Sequence, residues 1–258
     1  MALQIGRAFQ DGIDEFLSER GAVFAGAFIV LGLANGIIWT SLSQGLVELF
    51  IGSLPSDVEA QTVMSETAPL AFEIPVAVAA VGALALFVVS EALNIVAIRA
   101  FASDTSDPIP DNVGRRLGKT VAVAIAAGIL TAIAVGIGII LLIIPGLLLA
   151  FLFFFVRQEI ALNDSGVIES ISNSIGIVID NIVPAAVLFV VLGVLGLVIG
   201  AAFGFLPISL PAMVSTTVST VLSSVVGVFS IAVTTMAYLQ ATESEPNGAH
   251  MTESVGGL

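Results

Sequence analysis

The sequence predicts an all-α protein of the polytopic membrane class, a bundle of about six transmembrane helices with two interfacial amphipathic helices. Three observations predict it. Of 258 residues, 57% are hydrophobic and 10% charged, with a mean hydropathy of +1.12. Globular chains carry roughly 25% charged residues, so the polar surface of a soluble domain is missing. Apolar runs recur at lengths near the ~20 residues that cross about 30 Å of hydrocarbon. Finally, the basic residues fall on one side of such a bundle, as the positive-inside rule requires.

The elements follow in order. In residues 1–20, Ile5, Ala8, Phe9, Ile13, Phe16 and Leu17 recur three and four apart, opposed by Asp11, Asp14 and Glu15. That pattern suits an amphipathic helix lying on the membrane. The acids, with no basic leader running into an apolar stretch, argue against a cleavable signal peptide. The first span is expected at 21–42, with Trp39 at an interface. The second, 74–98, starts beside Pro75 and is closed by Arg99. The third, 120–144, meets Pro145-Gly146, a breaker pair expected to end or bend the helix. A shorter fourth span, 147–162, is interrupted by Arg157 and Glu159; a re-entrant hairpin is the alternative there. The fifth and sixth spans are expected at 182–205 and 213–239, the last ending with Tyr238 at an interface. The membrane domain thus covers 21–240. The acidic tail 241–258 has few large apolar groups and is expected to be disordered.

With the N-terminus inside, Arg7, Arg20, Arg99, Arg115, Arg116, Lys119 and Arg157 all fall on the cytoplasmic side. The outer loop 43–73 then carries Glu48, Asp57, Glu59, Glu66 and Glu73 and no basic residue. The expected location is therefore the cell membrane, multi-pass, with both termini cytoplasmic. Between the fourth and fifth spans, Ile168, Ile171, Ile175, Val178 and Ile182 repeat at helical spacing while Glu169, Ser172, Asn173 and Asp180 decorate other faces. This predicts the second amphipathic helix, on the cytoplasmic surface.

The stretch Ile143-Ile144-Pro145-Gly146-Leu147-Leu148-Leu149-Ala150, then Arg157, then Glu169-Ser170-Ile171-Ser172-Asn173-Ser174-Ile175 resembles the membrane-domain family fused to some bacterial glycerophosphodiester phosphodiesterases. That family also occurs as stand-alone integral membrane proteins of bacteria and archaea. The resemblance implies six helices, a proline-glycine turn after the third, and an amphipathic segment centred on a serine, matched here by Pro145, Gly146 and Ser174. It departs where the family usually shows basic residues and a Trp around that serine; this chain has Ser172, Asn173 and Ile175. The resemblance supplies no catalytic residues.

Composition narrows the chemistry. Twenty acids face seven bases, of which six are Arg, for a net charge of −13. This acid-rich, Lys-poor balance resembles that of salt-loving archaea and argues against nucleic acid as a partner, since counterion release needs clustered cations. There is no Cys, and the single His, His250, lies in the polar tail, so neither a thiolate nor a His-based metal or catalytic site is expected. No Ser-His-Asp set, phosphate-binding glycine loop or calcium loop is legible. The expectation is no enzyme, no cofactor and no metal.

Intramembrane polar groups are the candidates that remain, because an ionised side chain at the bilayer centre costs about 2.5–3.5 kcal/mol on insertion scales. Glu91 is the one acid that qualifies, with Asn94 a turn further along and Asn35 in the first span. Glu91 precedes Arg99 by eight residues, about 12 Å along a helix. Arg157 is expected to snorkel to the headgroups. Gly32 with Gly36, and Gly196, Gly200 and Gly204, form small-residue steps for helix packing, within the chain or in a homo-oligomer. Two functions fit. The first is a non-enzymatic scaffold or accessory domain with the bilayer and a membrane protein as partners. The second is a small transporter or permease with a site near Glu91 and the Pro145-Gly146 break.

Overall fold

Apolar runs longer than 20 residues can satisfy their backbone in lipid only by becoming helices, and the described residues are helical in that way. The computed structural model describes residues 3–51, 74–105, 107–205 and 211–243. Among them are α1 (Ile5–Leu17), α2 (Glu19–Ile51), α3 (Val76–Phe101), α4 (Leu117–Leu141), α5 (Ile143–Leu152), α6 (Val156–Asn163), α7 (Val167–Asp180), α8 (Ile182–Phe205) and α9 (Ala212–Glu243). Six segments are long and apolar enough to cross a membrane, with α5 and α6 together forming one, Ile143–Asn163. The chain is a multi-pass all-α bundle. Asp57, Glu59, Glu66 and Glu73 of the acidic outer loop, and tail residues 244–258, lie outside the described residues, whereas 241–243 continue α9.

The helix after the third span breaks in a different place from the one the proline suggests. The break falls at Leu142, whose backbone is extended (φ −161°, ψ 134°). Pro145 sits in the first turn of α5, where a missing N–H costs nothing because first-turn donors have no partner within the helix. The chain reverses through this single extended residue, so α4 and α5 form a tight hairpin. Glycine is required at its contact: a Cβ on Gly138 would stand 2.8 Å from the Cα of Gly146. Apolar side chains at the tip are strongly exposed, Ile140 by 85% and Ile144 by 79%, and belong in hydrocarbon.

α9 is the central helix and packs on α1, α2, α3 and α8. The amphipathic α1 does more than rest on lipid. Its small residues Ala8 and Gly12 are buried, and a Cβ on Gly12 would stand 2.7 Å from the Cα of Val233. Phe16 meets Phe229 edge to face at 5.7 Å. Leu3 and Ala241 share one apolar cluster, so the two described ends of the chain lie at the same end of the bundle. Two further clusters fill α3–α4–α6, around Ile95, Ala124 and Ile160, and α2–α3–α9, around Phe24, Phe101 and Val228. Lipid tails are as apolar as these side chains, so close packing holds the bundle more than water exclusion does.

Candidate functional site

Glu91 on α3 and Arg157 on α6 come together. Arg157 Nη2 donates to Glu91 Oε2 at 3.2 Å, and Nε lies 3.2 Å from Oε1. The partners are treated unequally: the Glu91 side chain is 6% exposed and that of Arg157 56%. Arg157 therefore does not simply reach for headgroups. Its charge is held in place by a buried acid while its outer edge stays open, which offsets much of the cost of a lone charge at that depth.

That outer edge borders a cavity of about 440 Å³ between α3, α4, α5, α6 and α9, lined also by Asn94, Gln158, Ser230 and Thr234. Asn94 keeps one donor on its own helix, Nδ2 to Ser90 O at 2.9 Å. Gln158 is 5% exposed, and its Oε1 has no hydrogen-bond partner among the described residues. A buried amide oxygen left unpaired costs about 1–3 kcal/mol. Asn35 is not part of this site. It lines a second cavity of about 360 Å³ between α2, α3 and α9, with Ser90, Ser219, Ser223 and Ser224.

The break in the returning helix borders the first cavity. Residues 153–155 leave the α-helix between α5 and α6, well beyond Pro145 and Gly146. Ser174 closes this gap from α7: its Oγ accepts the Phe155 N–H at 3.1 Å and donates to Leu152 O at 2.9 Å. The inward face of α7 is accordingly Ser170, Ser174 and Val178, while Ile168, which the apolar stripe would turn to a common face, is 71% exposed.

Four charges nearer the end of the bundle that holds Leu3 and Ala241, Arg99, Asp164, Glu159 and Arg20, escaped sequence reasoning as structural elements. Arg99 donates to Ala161 O at 2.7 Å, Val113 O at 2.9 Å, Arg115 O at 2.6 Å, Thr120 Oγ1 at 3.1 Å and Asp164 Oδ1 at 2.9 Å. Asp164, left-handed at φ 53°, ends α6 and also pairs with Arg115 at 3.1 Å. Glu159, 3% exposed, accepts from Ser165 Oγ at 2.9 Å, Asn163 Nδ2 at 3.0 Å, Asn173 Nδ2 at 2.7 Å and the Tyr238 hydroxyl. Arg20 ties α2 to the loop after α3 through Ser103 O at 3.2 Å and Asp107 O at 3.1 Å, and reaches Glu15 at 3.4 Å. Burial raises the Glu15 carboxyl above its ordinary range, with Arg20 opposing. The weak signal for these groups was their type: charges at or within three residues of the span ends.

A family model described as Domain of unknown function (DUF7847) matches residues 3–241. The chain belongs to this family. Comparison with curated proteins and with solved structures finds no match. The family shown is thus one without an assigned function, and nothing found links it to phosphodiesterase fusions or to salt-loving organisms. In this DUF7847 chain the small-residue steps are placed differently from one another. A Cβ on Gly32 would meet Ser224 Oγ at 2.9 Å on α9, whereas one on Gly36, Gly196 or Gly200 would meet nothing within 4 Å; Gly204 continues α8. No group of three metal-binding side chains occurs among the described residues.

Proposed function

We propose that the protein is a non-enzymatic membrane transporter or permease that binds its solute in the cavity beside Glu91 and Arg157. The observation that carries this reading is an ion pair at membrane depth, open on its cationic side, next to a buried Gln158 oxygen with no partner. Arg99 and Glu159, by contrast, have every charged-group atom engaged; Arg20 Nε and Thr235 Oγ1 are also buried without a partner among the described residues, so it is the half-exposed guanidinium lining the cavity that singles this place out. The non-helical backbone at 153–155 beside the cavity adds support, because broken helices are tolerated in membranes where they line a cavity or are covered by protein. The end of the bundle with Arg20, Arg99 and Arg115 is assigned to the cytoplasm on the positive-inside rule, with both described ends on that side. The proline-glycine motif and the acid excess support, respectively, kinship with phosphodiesterase-linked membrane domains and a salt-rich source.

The absence of native Cys makes the test direct. Thr131→Cys and Thr234→Cys at the cavity, and Ile133→Cys on the lipid face, are treated with a charged thiol reagent in inside-out vesicles. The cavity positions are expected to react and Ile133→Cys to stay inert. Equal inertness would remove the transporter reading and leave the scaffold or accessory domain, which the saturated charge clusters at the cytoplasmic end favour.

A further inference from the structure

Resting on the reading that this cavity is the working site, we propose that its occupant is an anionic amphiphile, with its headgroup on Arg157 and Gln158 and one apolar chain along α4 toward the α4–α5 hairpin. The sign of the headgroup follows from which charge is presented. Glu91 is 4% exposed and turns both oxygens to Arg157, so the cavity meets guanidinium and not carboxylate. Arginine has five N–H donors. Nη2 donates to Glu91 Oε2, Nε lies 3.2 Å from Oε1 without a hydrogen bond forming there, and Nη1 finds no acceptor among the described residues. A half-exposed guanidinium in a water-poor zone calls for an anion, and carboxylate or phosphate matches its fork geometry. The unpaired Gln158 oxygen adds a place for a hydroxyl on the same headgroup.

The chain follows from how polarity is distributed along the cavity. Gly138 contacts Gly146 at the hairpin, so the antiparallel register puts Gly128 level with Val156, and Val135 level with Leu149. Asn94, Arg157, Gln158 and Thr234 therefore lie toward the cytoplasmic end, while Ala132, Val135 and Ala150 line the part toward the hairpin. The hydroxyl of Thr131 is turned back to Ala127 O at 2.9 Å and is not offered to a ligand. Gly128 leaves open space where any other residue would place a Cβ. From Gly128 to Val135 the helix rises about 10 Å, and about 440 Å³ lies within the roughly 300–1,000 Å³ that ligand pockets span. One end polar and cationic with the other apolar is the profile of a fatty carboxylate or an anionic phospholipid.

The test is native mass spectrometry of the full chain in detergent, titrated separately with oleate, dioleoyl phosphatidylglycerol and dioleoyl phosphatidylcholine. Wild type is expected to retain an anionic lipid at least ~10-fold better than phosphatidylcholine, because a hydrogen bond between two charged groups is stronger than one to a neutral partner; tenfold is about 1.4 kcal/mol. Preference for oleate would mark a carboxylate source, and preference for phosphatidylglycerol a phosphodiester one. Arg157→Gln should abolish the preference, Arg157→Lys restore part of it, Gly128→Leu weaken both anionic lipids by filling the chain's space, and exposed Arg7→Gln change nothing. Loss with Gly128→Leu but none with Arg157→Gln would overturn the anionic class while leaving a binding cavity. Equal retention of all three lipids in wild type and in both variants would overturn the cavity as a site altogether.

Discussion

Two ion pairs cross the same contact between α3 and α6, and they are built to opposite specifications. Arg99 of α3 reaches Asp164 at the end of α6, and Arg157 of α6 reaches Glu91 of α3. The Arg99 side chain is 7% exposed and meets five acceptors, whereas that of Arg157 is 56% exposed and meets one residue. The outer pair saturates its donors and fastens α3, α4 and α6 together. The inner pair has donors to spare and a cavity in front of them. Charge at the end of a bundle is compatible with pure structure. Charge kept open about 12 Å further in has a cost that packing does not recover, and that difference separates a fastening from a site.

Arg99→Gln leaves Asp164 with Arg115 and Thr120 but takes away its buried cation and the donors to the Ala161, Val113 and Arg115 carbonyls, and removing one member of a buried pair typically costs about 3–5 kcal/mol. The expected result is a fall of roughly 10 °C or more in the detergent melting midpoint; an unchanged midpoint would make the outer pair no more structural than the inner. Ser174→Ala leaves the buried Phe155 N–H without its acceptor, an expected loss of about 1–3 kcal/mol, read in the same melt. Tyr238→Phe removes one of four donors to Glu159, for about 1–2 kcal/mol. Glu15 gives the smallest effect. Its folded carboxyl titrates above its unfolded value, so its contribution favours the fold at low pH and is lost as pH rises through the folded value. Glu15→Gln should flatten that slight decline in a melt series from pH 4 to 7.

Run length and charge placement made the helical spans legible because lipid leaves the backbone no alternative. Glu91 was legible for the same reason, being an acid well inside an otherwise uncharged apolar span. Its partner was not: 66 residues separate Arg157 from it, and local spacing suggests only snorkelling. The hairpin turn was misplaced because proline looks like a breaker wherever it stands, while the decisive feature is the Gly138–Gly146 contact, two residues that meet only after the chain has reversed. In α7 the apolar stripe holds only in part, since Val178 is buried and Ile171 packs on the core while Ile168 is 71% exposed. The buried face is organised by Ser170 and Ser174, whose value depends on a helix gap at 153–155 that no local pattern announces.

The most direct test sets Arg99→Gln beside the double variant Glu91→Gln, Arg157→Gln, comparing melting midpoints and retention of anionic lipid. Arg99→Gln is expected to melt far below wild type. The double variant, which leaves no unpaired buried charge, is expected to melt within about 2–4 °C of it, an effect near 1 kcal/mol, and no longer to prefer anionic lipid. A double variant that unfolds as readily as Arg99→Gln, or that keeps the lipid preference intact, would contradict the division between fastening and site.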